Sequence, residues 1–159
     1  MHVEKVFFFV MEESEQLGER RLPMANTSEL SVITKAKELC NYVLTVTDKS
    51  PKKFRYTLVS RLQNYSIVII ESLLTANEIR VTDRAGTVIK ARQEQRRDYQ
   101  QKAFTNIKLL AFIAQVSMEQ QCILPKQYEQ ITKALYDCQN LLEKKKKSDN
   151  KRYVEEKSS

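Results

Sequence analysis

The chain has 159 residues, enough for one domain with a substantial core and too few to expect two. Two Gly and three Pro, beside 42% hydrophobic and 30% charged residues, exclude a turn-rich β protein and predict an all-α fold. The formal net charge of +7 is concentrated in residues 49–108, where 13 Lys and Arg stand against 5 Asp and Glu, so the middle of the chain is expected to attract a polyanion.

Residues 1–26 read as a leader: a short apolar run, VFFFVM, then the acid-rich MEESEQ, then GERRLPMAN. Glu4 precedes the apolar run, and acids stand where a small-residue cleavage site would be, so a secretory signal is not expected. Two readings stay open, a true start at Met24 or an ordinary leader or docking segment. The bundle domain is expected over 27–145. Its first helix is predicted over 28–47, with Asn26, Thr27 and Ser28 as competent caps. Val32, Ala36, Leu39, Val43 and Val46 make its seam, and Leu30, Ile33, Cys40 and Leu44 widen it to the breadth a bundle needs.

The second helix is predicted over 50–77, with Ser50 as N-cap and Pro51 at the first helical position. Phe54, Leu58, Leu62, Tyr65, Ile69, Leu73 and Ala76 recur every three or four residues and form its core face. Val59, Ile67, Ile70 and Leu74 project away from that face, which predicts an interface with another subunit. Lys49, Lys52, Lys53 and Arg55 crowd a helix start that is already partly positive, so helix stability does not explain them.

A break is predicted over 80–87, with Thr82 and Asp83 as caps and Gly86 free to take a positive φ. The third helix is predicted over 88–120. Its first half carries Lys90, Arg92, Arg96, Arg97 and Lys102 and reads as solvated or bound to an anion. Its second half carries the core positions Ala103, Ile107, Leu110 and Ala114, flanked by Phe104, Ala111 and Met118. Pro125 restarts a fourth helix through Tyr128, Ile131, Leu135, Cys138 and Leu142. Lys144 to Lys147 would then complement its C-terminal dipole, and residues 146–159 read as a disordered polar tail. The expected architecture is an up-down four-helix bundle with a flexible leader and a Lys-rich tail.

No catalytic constellation is present in the sequence. There is no phosphate-binding Gly-rich loop and no HExxH, and His2 is the only histidine. Glu71 and Glu78 lack the Glu-x-x-His partners of a di-metal bundle site and read as solvated or interhelical charges. The chain is therefore expected to be no enzyme and to need no cofactor or metal. Cys40, Cys122 and Cys138 are odd in number and widely spaced, which fits reduced core residues of a cytoplasmic protein. No run approaches the ~18 apolar residues of a membrane span, so no membrane partner is expected.

The basic residues are the stronger signal. Lys49, Lys52, Lys53, Arg55, Arg61, Arg84, Arg92, Arg96 and Arg97 are candidate contacts to a phosphate backbone, and Tyr56 and Tyr99 are candidate stacking surfaces for unpaired bases.

From Leu30 to Glu78, LSVITKAKELCNYVLTVTDKSPKKFRYTLVSRLQNYSIVIIESLLTANE places Leu39 and Tyr42 before Pro51, Lys52 and Arg55. Leu62 follows, and the stretch closes on Leu73, Leu74, Ala76 and Asn77. Further on, residues 124–142 form a last helix with Tyr128 in its first turn. This pattern resembles the accessory variability determinant proteins of diversity-generating retroelements, within the small four-helix bundle proteins that include ribosomal-RNA intervening-sequence proteins. The resemblance covers about residues 28–145. It implies a basic bundle that assembles as a homopentamer, binds structured RNA and associates with a reverse transcriptase, and it marks Pro51, Lys52 and Arg55 as characteristic. Two other readings remain open: a DNA-binding, relaxosome-type accessory protein of a mobile element, and a purely structural oligomer that docks a partner through its second helix.

Overall fold

A three-four alternation of apolar and small residues runs through four helices and dictates how they pack. The computed structural model describes the backbone of residues 25–155 and the side chains of residues 31–154. The helices are α1 (Ala25–Asp48), α2 (Ser60–Glu78), α3 (Lys90–Glu119) and α4 (Pro125–Glu155). Each packs against its neighbours in sequence, and α4 returns against α1. Among the described residues there is no strand, only an isolated bridge between Thr82 and Val88. Residues 1–24 of the expected leader, with the alternative start at Met24, lie outside the described residues.

The core is built where the seams meet. Val32, Ala36, Leu39, Val43 and Val46 of α1 are buried, as are Leu62, Ile69, Leu73 and Ala76 of α2. Ala103, Ile107, Leu110 and Ala114 of α3 join them, with Ile131, Leu135, Cys138 and Leu142 of α4. Burying one such aliphatic side chain contributes about 1.5–3 kcal/mol, so these layers dominate the stability of the fold. Ser66 and Ser117 occupy core positions by turning their hydroxyls back onto the helix, toward the carbonyls of Gln63 (2.8 Å) and Ile113 (2.7 Å).

The connections follow from local chemistry. In the break between α2 and α3, the Asp83 carboxylate accepts from the amides of Ala85 and Thr87, both at 2.9 Å, and Gly86 takes φ 85°. This is the turn expected from Asp83 and Gly86, though a short hairpin and not a helix cap organises it. After α3, Gln121 stands at φ 62°, its amide bonded to the Met118 carbonyl (3.0 Å) and the Cys122 amide to that of Ser117 (2.8 Å). Those two bonds define a Schellman stop, which usually uses Gly where this chain has Gln121. At the start of α4, the Gln127 side chain accepts from the Leu124 amide (2.8 Å), half of a capping box around Pro125.

Four expectations are corrected. Asn26, Thr27 and Ser28 lie inside α1 and not before it. Ser50 does not cap a helix: its hydroxyl donates across the bundle to the Cys122 carbonyl (2.8 Å), and Pro51 is extended at φ −55°, ψ 136°. The chain enters α2 through a 3-10 turn, Lys52–Phe54, and a π turn, Arg55–Val59. A π turn holds more residues than an α turn, so the phase set by Phe54 and Leu58 slips, and Val59 rotates into the core at 8% exposure. Val59 is therefore part of its own subunit's interior and unavailable as an interface residue. Finally, α4 does not end near Lys147 but continues to Glu155, so described residues 146–155, expected to be disordered, are helical.

Candidate nucleic-acid interface

Two hydrogen-bond sets fix which cations share an end of the bundle. At one end, the Ser50 hydroxyl reaches Cys122, and the Gln63 amide donates to the Thr47 hydroxyl (3.0 Å), joining the end of α1, the entry to α2 and the α3–α4 connection. At the other, the Arg96 guanidinium donates to the carbonyls of Ala76 (3.3 Å) and Ile79 (3.5 Å) and to the Asp149 carboxylate, joining the end of α2 to α3 and α4. The 19 residues of α2 lie between, a rise of about 28 Å at ~1.5 Å per residue. The nine candidate cations therefore do not form one patch.

Lys49, Lys52, Lys53 and Arg55 stand at the α2 entry, all exposed, with Arg61 exposed in the first turn of α2. Lys52 and Arg55 line an open groove of ≈ 440 Å³ together with Asp48, Pro51, Tyr56 and Gln63. Tyr56 is 86% exposed, so a phenol face stands free beside two cations. The Lys53 ammonium lies 4.9 Å from the centroid of the Phe54 ring, a cation–π contact, and the side chain stays exposed. Because the segment is 3-10 and π, its side chains splay at spacings a regular helix does not offer, an arrangement common where helices carry binding sites. Among the described residues, Asp48 is the one acid on the groove wall.

Arg84, Arg92 and Arg97 belong to the opposite end. Arg84 is exposed in the hairpin, Arg92 is exposed in the first turn of α3, and Arg97 donates to the Asn150 side chain on α4 (3.1 Å). Tyr99 is half-buried and offers less ring than Tyr56. Arg96 is a correction: it is 6% exposed, and its Nε donates to Asp149 at 2.9 Å with a second bond from Nη2 at 3.4 Å. It is a structural cation and not a surface contact. Gln100 adds a 2.9 Å bond to the same carboxylate, and Lys145 lies 3.7 Å from it at 7% exposure. Desolvation pushes the Lys145 ammonium below its ordinary pKa and Arg152 adds to this, while Asp149 opposes it.

Sequence reasoning missed this network, although a signal existed. Gln93, Arg96 and Gln100 continue the three-four spacing of Ala103, Ile107 and Leu110, and Lys145 and Asp149 continue that of Leu135, Cys138 and Leu142. Polar residues on a core register predicted buried partners, not solvated ones.

Of the expected interface residues, Ile67 is 38% exposed, while Ile70 and Leu74 are half-buried against the core. Phe112 at 66% and Tyr136 at 65% are larger exposed apolar surfaces that were not anticipated. The described residues contain no group of three His, Cys, Asp or Glu able to hold a metal ion, and none of their helices is long and apolar enough to cross a membrane. Burial raises the thiols of Cys122 and Cys138, the latter to about 12, which makes both poor nucleophiles. No family model matches the chain, and no curated protein matches it significantly.

Proposed function

We propose that this protein is a non-catalytic nucleic-acid-binding accessory protein that holds structured RNA and associates with a reverse transcriptase in the cytoplasm, in the setting of a diversity-generating retroelement. The observation that carries the proposal is the α2 entry. Five cations, an 86% exposed tyrosine and an open groove are gathered at this entry, and three of the cations, Lys52, Lys53 and Arg55, stand on its 3-10 and π turns, where their charge opposes the local helix dipole. A phosphate chain supplies the missing countercharge, and an unpaired base stacks on Tyr56. The retroelement setting rests on the resemblance at Pro51, Lys52, Arg55, Leu62 and Leu73 to Asn77. The proposed assembly is an up-down bundle in a homo-oligomer, a pentamer by the same resemblance, in which Ile67, Ile70 and Leu74 meet a neighbouring subunit.

A purely structural docking bundle is the second reading, favoured by the exposed rings of Phe112 and Tyr136. Triple charge reversal at Lys52, Lys53 and Arg55 separates the two. With three phosphate contacts removed, RNA affinity measured by fluorescence anisotropy is expected to fall and its log–log salt slope to shrink by about 2 to 3. Unchanged affinity and slope, with the oligomer intact by light scattering, would contradict RNA binding at this site and favour docking alone.

A further inference from the structure

The extension of α4 past Lys147 changes what its lysines mean. Were the helix to end near Lys147, the run Lys144 to Lys147 would be explained by the C-terminal dipole, whose effect is confined to the last turn. With α4 continuing to Glu155, the run lies two turns or more inside the helix. Lys144, Lys147 and Lys151 are spaced three and four apart, so they share one helical stripe about 10 Å long, and all three are exposed. Like charges at that spacing destabilise a helix.

No compensation is seen among the described residues. None of the three lysines makes an ion pair with another described side chain. Glu143, one turn before Lys147 and well placed to pair with it, instead accepts from Gln139 (3.5 Å). The stripe is also held rigidly. Asp149, on the opposite side of the same turns, is bonded to Arg96 and Gln100 of α3, and Asn150 accepts from Arg97. Lys146 is fixed on the α3 side, 4.9 Å from the Phe104 ring centroid.

We propose that Lys144, Lys147 and Lys151 form a second phosphate-contacting site for a nucleic-acid backbone, at the end of the bundle opposite the Lys52–Arg55 groove. This rests on the nucleic-acid reading above. α2 carries no Lys or Arg between Arg61 and Arg80, so the two sites are separated by a band without α2 cations about 28 Å long. A single protomer then grips two segments of one folded nucleic acid. The groove offers cations with a stacking ring, and the α4 stripe offers cations alone.

The test uses the full chain and a fluorescently labelled RNA stem–loop, with affinity measured over a series of salt concentrations. Three variants are compared with the parent: K144E/K147E/K151E, K52E/K53E/R55E and the two combined. Lys→Gln at the same three α4 positions serves as a milder set, and circular dichroism checks the fold. The α4 reversal is expected to weaken binding at least tenfold and to reduce the salt slope by about 2 to 3, and the combined variant to lose both increments. If both α4 sets are folded and bind as the parent does while the groove variant is impaired, the second site is overturned and the nucleic-acid reading stands. If neither site affects binding, both are overturned.

Discussion

At the end of the bundle where α2 begins, cations stand on a 3-10 and a π turn, exposed around an open groove with Tyr56 beside them. At the end where α4 finishes, cations lie on regular helix, and two of them, Arg96 and Lys145, have been drawn inside against a single carboxylate. Arg55 and Arg96 both sit in basic stretches of sequence and end in opposite environments, one exposed and one buried. The difference is set by register. A guanidinium on the three-four seam faces the core and needs a partner there, whereas one on an irregular turn faces water and remains available to a ligand.

This contrast predicts unequal costs of mutation. Asp149→Asn removes the carboxylate that two buried cations share and is expected to destabilise the fold by about 3–5 kcal/mol in urea denaturation. Lys145→Met leaves the Arg96–Asp149 pair neutral and is expected to change stability by less than about 1.5 kcal/mol or to raise it, since a buried ion can often be replaced by an apolar side chain. Equal losses from the two substitutions would break the picture of a carboxylate that matters more to the fold than Lys145 does. At the other end, Arg55→Ala is expected to stay within about 0.5 kcal/mol, as befits an exposed side chain.

The interior between the two ends makes its own prediction. Burial chiefly raises the Cys138 thiol, with Asp137 and Glu38 adding to it and Lys35 opposing, to about 12 from 9.0. A thiol whose folded pKa is raised keeps its proton longer folded than unfolded. Its contribution to stability is thus fully present below pH 9.0 and is lost as pH rises through about 12. Cys138→Ala is expected to flatten this alkaline loss, worth a few kcal/mol across the window, at a cost of about 1 kcal/mol for the small cavity at neutral pH. An alkaline limb as steep in the variant as in the parent would place the titrating group elsewhere. A gain is expected at the α3 stop, where Gln121→Gly removes the penalty of φ 62° and should raise stability by about 0.5–1 kcal/mol.

Much of the fold was legible because buried seams repeat: Val32, Ala36, Leu39, Val43 and Val46 of α1, Ala103, Ile107, Leu110 and Ala114 of α3, and Ile131, Leu135, Cys138 and Leu142 of α4 are core residues as expected, whereas Leu44, expected to widen the α1 face, is 41% exposed. What was not legible depended on partners distant in sequence. Ser50 and Pro51 have the form of a helix start, but the Ser50 hydroxyl is used 72 residues away at Cys122. Val59 was misplaced because a single π turn changes the phase of everything before it, and no residue in RYTLV announces one. Arg96 was expected to contact a phosphate, Lys145 to complement a helix end and Asp149 to lie in a disordered tail because each was weighed alone, while the structure brings the three together. Lys52, Lys53 and Arg55 drew notice for a simple reason: charge at a helix start with no local benefit is anomalous even before the backbone is known, and all three are exposed.

The central claim is that exposed cations at the α2 entry hold a phosphate backbone. It is tested most directly by titrating the intact protein with a labelled structured RNA as salt is raised from about 50 to about 200 mM. With the five entry cations contacting phosphates at ~0.7–0.9 each, affinity should fall at least about 100-fold over that range, and further where the α4 lysines also bind. An affinity that stays level across the range would contradict the account.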